Sequence, residues 1–409
     1  MKLKVLACAA LMALALIACG DDEPAPSGGG TTPTPATGGD DDTTPRQPSQ
    51  SNPMNIFAHY MPWFETPESN DGAWGWHWTM NTCNPAVVDA EGRRQIASHY
   101  YPLTGPYASS DDDILDYQCL LMKYSGIDGV MVDWYGTATI YDYPLIKRNT
   151  ERLAAAVERN GLKMAIVYED ATLLNAATSA DERTAQARRD MQYLQSNFFT
   201  RDSYVKIAAR PLLMVFGPQA LTSPTQWEEA LSALSTKPCL VCLNGHSSRA
   251  GSLSAGEFVW INPAPDYSVA SRFATYIGGA MPGFRDYYVE GGDRATGYTT
   301  YDRENGALFS RQLAAAHTAG LSYLQVTTWN DYGEGTVIEP TREYGYQYLT
   351  ALQQFAGVDY RQSHLELISR WYAARVAHPR DTRAEKARLY LAALMPESAL
   401  PLIQELEAE

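Results

Sequence analysis

The sequence predicts a (β/α)8 barrel. Two observations carry this reading. Eight short apolar runs recur along the chain, most of them separated by amphipathic stretches. Polar and aromatic residues then gather just after those runs. In such a barrel the C-terminal strand ends share one mouth, so the second observation places these residues around a single cleft.

The runs fall at residues 55–60, 129–134, 163–168, 211–216, 239–243, 258–261, 279–282 and 322–328. Each is short, apolar and bounded by turn formers, as buried parallel strands are. Helical spacing of apolar residues marks 111–124, 145–160, 181–197, 224–234, 267–277 and 306–319. Around the fifth to seventh strands the linking helices are short or missing. Ser110, ahead of Asp111, Asp112 and Asp113, reads as an N-cap whose acidic first turn suits the helix dipole. Gly126, Gly161 and Gly320 stand where helices should stop.

His59, Tyr60 and Trp63 close the first run, Asp133, Trp134 and Tyr135 the second, and Glu169 and Asp170 the third. Asn244 and His246 follow the fifth, Asn262 the sixth, and Arg285 and Asp286 the seventh. The eighth leads into Trp329-Asn330-Asp331-Tyr332-Gly333-Glu334-Gly335-Thr336-Val337-Ile338-Glu339-Pro340. Here two carboxylates lie three residues apart among aromatics that can stack on a flat ligand. Paired acids beside aromatics are what cleavage of a glycosidic bond needs.

Residues 363–409 repeat apolar positions at helical spacing and read as small helices packed on the barrel, with no chemistry of their own. The catalytic barrel is expected over 54–362.

The start of the chain has another character. Lys2 and Lys4 precede an apolar run from Val5 to Ala18 that is too short to cross a bilayer, so residues 1–19 read as an export signal. Residues 20–53 are rich in Gly, Pro, Thr, Ser and Asp and read as a flexible tether. Leu16-Ile17-Ala18-Cys19 resembles the bacterial lipobox, which implies lipidation of Cys19 and anchoring to an outer membrane or cell surface.

A formal charge of −15 with no basic run argues against nucleic acid as a partner. Of the cysteines left after the signal, Cys239 and Cys242 lie in a strand-like run without a second Cys/His pair, and read as buried thiols rather than zinc ligands. Cys83 and Cys119 are free to form a disulfide in an exported protein. No metal motif occurs, and no cofactor is expected. A Gly-x-Ser-x-Gly elbow is absent, which counts against an esterase or peptidase.

Taken in order, these segments resemble the clan that holds glycoside hydrolase families 71 and 99. The resemblance runs through Phe57 to Phe64, Trp76-His77-Trp78, Tyr101 to Asp111, Gly126 to Gly136 and Trp329 to Glu339, and covers roughly residues 54–356. It implies an α-glycosidase, endo-acting, with an α-mannan or α-glucan type of oligo- or polysaccharide as partner. Glu334 matches the general acid of both families. Asp331 matches the second acid, which is aspartate in family 71 and glutamate in family 99. The Gly335 to Glu339 continuation resembles family 99.

The remaining candidate sugar contacts are His59, Tyr60, Trp63, His77, Trp78, Asp133, Trp134, Tyr135, Glu169, Asn244, Trp329, Asn330, Tyr332 and Glu339. For Asp133 the alternative is bracing beneath the cleft, and for Glu169 a structural ion pair. A barrel that binds glycans without cutting them is the alternative function. The chain is expected to act as a monomer.

Overall fold

The computed structural model of the protein describes residues 42–409. The export signal, Cys19 and the tether up to residue 41 lie outside the described residues. Eight parallel strands close on themselves: β1 (Asn55–Tyr60), β2 (Gly129–Trp134), β3 (Lys163–Tyr168), β4 (Arg210–Val215), β5 (Cys239–Leu243), β6 (Ser254–Phe258), β7 (Thr275–Ala280) and β8 (Tyr323–Val326). Each pairs with the next, and β8 pairs back to β1 with Val326 opposite Ala58. A two-residue strand, Lys206–Ile207, adds an antiparallel arm to β4.

The chain is therefore a (β/α)8 barrel, as the sequence predicts. Two strands begin about four residues earlier than expected. β6 has the sequence Ser-Ala-Gly-Glu-Phe, too small and polar to register as an apolar run. Its ladder is set by its neighbours, and Val259 and Trp260 lie beyond its end. β7 likewise starts at Thr275, so the helix expected over 267–277 is only a 3-10 turn, Tyr267–Arg272.

The outer helices are α1 (Asp112–Tyr124), α2 (Tyr143–Arg159), α3 (Ala180–Leu194), α4 (Pro224–Leu231), α5 (Ala307–Thr318) and α6 (Gln347–Ala356). The N-cap of α1 is Asp111, not Ser110. Its carboxylate accepts from the amides of Asp113 at 2.9 Å and Ile114 at 3.3 Å. An anionic acceptor satisfies orphan amides and the dipole together.

α1 is buried on nearly every side because a second layer covers it: α7 (Gln362–Ala377), α8 (Thr382–Ala392) and α9 (Pro396–Glu407). Tyr117 meets Tyr372 at 4.9 Å between ring centres. Lys123 donates to the Ala392 carbonyl at 2.6 Å, near the end of α8, and burial pulls its pKa down to about 7. Arg388 reaches Asp116 at 3.7 Å. The C-terminal helices are thus part of the packing, not a loose addition.

The last part of the expected tether is also laid against the barrel. Pro48 and Asn52 are buried. Asn52 donates to the Phe355 carbonyl at 3.0 Å and accepts from the Met54 amide at 3.1 Å. Gln50 and the Ile56 amide both donate to Asp128, just before β2. This strap runs past the N-terminal ends of β1 and β2. The four cysteines from Cys83 onward are free thiols, so Cys83 and Cys119 are not paired. Cys119 is sealed within α1, whereas Cys83 is partly exposed. No helix among the described residues is long and apolar enough to cross a membrane.

Gly320 and Gly357 both follow helices with φ of +67°, but a β-carbon at Gly357 would lie 1.8 Å from the Ser51 hydroxyl, while one at Gly320 would meet nothing within 4 Å. Gly320→Ala should cost only the left-handed penalty of ~1–2 kcal/mol, and Gly357→Ala clearly more, because the strap must move. Urea unfolding checks this; equal losses would contradict the strap's contribution.

Candidate active site

The loop after β8 is pinned before it presents any chemistry. The Trp329 amide donates to the His59 carbonyl at 2.7 Å, and the Glu339 amide donates back to the Trp329 carbonyl at 2.9 Å. Asn330 accepts from the Met61 amide at 2.8 Å and donates to the Met61 carbonyl at 3.0 Å, locking this loop to the one after β1. Beneath it Glu339 accepts from Gln118 at 2.6 Å and from the hydroxyls of Tyr107 and Tyr332 at 2.8 Å each. Burial raises the Glu339 pKa to about 7, against those three donors.

Much of the expected sugar-contacting set is therefore framework. Trp329, Asn330 and Tyr332 are fully buried and Glu339 is 3% exposed. Tyr60 is sealed as well, its hydroxyl donating to Gln118 at 2.7 Å. The Trp78 indole donates to the Tyr107 carbonyl at 2.8 Å, and Trp134 lies parallel to Tyr193 inside the wall. His59 sits within the barrel against Gln325 and Trp260, and burial drops its pKa to about 4, so it is neutral. Asn244 is exposed on the loop after β5, and none of its contacts reaches the carboxylates at the mouth. The eight groups other than Asn244 are thus buried, and residue identity alone does not say whether a side chain stands above a loop or packs below it.

The mouth itself gathers four acids. β2 and β3 run in register with Trp134 opposite Tyr168, which brings Asp133 and Glu169 to adjacent strand ends. Asp331 and Glu334 come from the loop after β8. The Glu334 amide donates to the Asp331 carboxylate at 2.8 Å, and the Asp331 amide donates to the Thr328 hydroxyl at 2.8 Å. Along one wall Trp63 stacks on His77 with centres 4.1 Å apart and planes 6° apart, and Tyr135 meets Trp63 edge-on at 6.4 Å. His77 faces Asp142 at 3.5 Å.

Crowding and burial separate these acids. Burial, then the Asp331 charge, raises Asp133 to about 8. Burial and the charges of Asp133, Asp170 and Glu334 push Glu169 well up. Asp331 is raised by burial only to about 6, since the Glu334 amide, His77 and the Gly333 amide favour its ionised form. Glu334 is held well above the usual range by burial and by Asp331, despite Tyr288 and Arg294. Asp331 is thus the more readily ionised of the pair, and Glu334 is pushed toward its neutral form.

The sequence reading missed Tyr288, whose hydroxyl lies 3.4 Å from the Glu334 carboxylate, and Asp142 behind His77. It also missed Arg294, stacked 4.2 Å over Tyr298. Tyr288 and Arg294 lie well past the end of β7, outside the few residues the strand-end rule inspects. Among the described residues no group of three or more His, Cys, Asp or Glu side chains is arranged to hold a metal ion.

A closed parallel barrel with split carboxylates and stacked aromatics at its C-terminal mouth defines a site of the glycoside-hydrolase kind. No protein-family model matches the chain. It is similar to the glycoprotein endo-alpha-1,2-mannosidase-like protein of Danio rerio, with 22% identity over 71% of this chain and 72% of that one. Glycoprotein endo-alpha-1,2-mannosidase of Rattus norvegicus is 21% identical over 78% of this chain and 75% of its own. In fold the chain is similar to the family 99 endo-alpha-mannosidase of Bacteroides thetaiotaomicron, with a TM-score of 0.57 and 21% identity over 74% of this chain and 96% of that one.

Because Asp133 is pushed above the ordinary aspartate value of about 3.9, its cost to the fold is absent below that pH, grows as pH rises and is complete above about 8. Asp133→Asn should therefore raise unfolding free energy by at least ~1 kcal/mol at pH 8.5 and change it little at pH 4. Denaturant titrations at the two pH values check this, and a pH-independent effect would contradict it.

Proposed function

We propose that this protein is a glycoside hydrolase that cuts an α-linked, mannose-type glycan internally, with Glu334 as general acid and Asp331 as general base. The observation that carries this is the division of the two neighbouring carboxyls. Burial and the Asp331 charge push Glu334 toward its neutral form, whereas backbone amides favour the ionised form of Asp331.

Glu334 would give its proton to the departing glycosidic oxygen. Asp331 would take a proton from the attacking group, which is either a water or the sugar's own 2-hydroxyl. The first route inverts and the second retains, so the anomer of the first product identifies the nucleophile. Trp63, stacked on His77, supplies a flat face for a sugar ring, and Asp133 and Glu169 present hydroxyl-binding oxygens across the mouth. The mannose-type substrate is supported by the names of the relatives and by the family 99-like continuation from Gly335 to Glu339.

Glu334→Gln should lose at least about 10²-fold in kcat, the low end of what a general acid contributes, with its melting temperature kept. Asp331→Asn should be impaired similarly. Reducing-end release from a panel of α-mannans and α-glucans checks both. Glycan binding by the native chain without release from any of them would instead favour a binding protein.

We also infer that Cys19 carries a lipid that anchors the enzyme at the cell surface. Incorporation of a labelled fatty acid should be lost in Cys19→Ala, and unchanged labelling would overturn the inference.

A further inference from the structure

Arg303 is a buried cation whose use the mechanism leaves open. It is 5% exposed, lies between β7 and α5, and its hydrogen bonds run to backbone carbonyls rather than to a carboxylate. Its guanidinium carbon instead sits over three tyrosine rings: Tyr100 at 4.3 Å, Tyr344 at 4.6 Å and Tyr348 at 5.1 Å. Ring faces of this kind stabilise a desolvated cation. Gly283 opens the space, since a β-carbon there would come within 2.4 Å of the Arg303 side chain.

The fork of this guanidinium is aimed at one segment. It donates to the Gly335 carbonyl at 2.7 Å and to the Val337 carbonyl at 3.2 Å, the first and third residues after Glu334. On the other side the Arg285 amide donates to the Glu334 carbonyl at 3.0 Å, and the Tyr287 amide to the Gly333 carbonyl at 2.8 Å. The Glu334 amide is itself held by Asp331. The carbonyls of Gly333, Glu334 and Gly335 and the Glu334 amide are thus all bonded, and Arg303 supplies the donor for Gly335. Buried carbonyls need donors, and a planar fork caged by rings holds two of them in fixed relation where a lysine would hold one.

We propose that Arg303 is a positioning residue for Glu334, acting on turnover through the carbonyls of Gly335 and Val337 without touching sugar. This rests on the assignment of Glu334 as general acid. A carboxyl displaced by about 1 Å can lose on the order of 10²-fold in rate.

The test compares Arg303→Lys and Arg303→Met with the native full-length chain. Amide hydrogen exchange of residues 333–338 should quicken at least about tenfold in both variants while the barrel strands keep their protection. On an α-mannan oligosaccharide, kcat should fall at least about tenfold with KM within about twofold. The basic limb of the kcat profile should move to lower pH, because water reaching a loosened Glu334 lowers its pKa. Folded Arg303→Lys with native exchange and native kcat would overturn the proposal, and so would failure of both variants to fold. Should the native chain cut no glycan, the general-acid reading falls by itself, while the exchange measurement still decides whether Arg303 holds the loop.

Discussion

Four carboxyl groups share a partly dry barrel mouth, and that crowding is the constraint on which the rest of the site depends. Carboxylates so close cannot all ionise without strong mutual repulsion and loss of hydration. The protein resolves the conflict by unequal hydrogen bonding. Asp331 receives backbone amides from its own loop and stays the most acidic of the four. Asp133, Glu169 and Glu334 receive less and are pushed toward their neutral forms. Which group ionises first is thus set by the donors around it, not by residue type.

That assignment requires a rigid loop. Its floor is a buried polar cluster of Glu339, Gln118, Tyr107 and Tyr332, with Tyr60 donating into Gln118. Its hinge is Asn330, bonded to both backbone groups of Met61. Its far side meets the segment after β7 through Arg285, Tyr287 and Arg303. α1 carries Gln118 and is itself clamped between the barrel and the C-terminal helices. Packing far from the cleft therefore reaches the carboxylates through a short chain of buried hydrogen bonds.

Several features were legible in the sequence because they rest on local chemistry. β1, β2, β3 and β5 are predominantly apolar runs, and their limits follow from that. Asp133 and Glu169 follow from the rule that barrel chemistry sits at strand ends, and Asp331 with Glu334 from their spacing in an aromatic loop. β6 was misplaced because its side chains are small or charged and only its neighbours make it a strand. The burial of Trp329, Tyr332 and Glu339 was not legible, since it depends on what α1 brings beneath the loop. Tyr288 and Arg303 were not legible either. They lie in a long excursion after β7, where position along the chain says nothing about which side chains return to the mouth.

The most direct measurement is a carbon-13 NMR titration of the side-chain carboxyls, with Asp331 and Glu334 assigned by Asp331→Asn and Glu334→Gln. The account predicts that Asp331 titrates first and that Glu334 holds its proton to a pH well above the ordinary glutamate value of about 4.3. A Glu334 midpoint at or below that of Asp331 would contradict it.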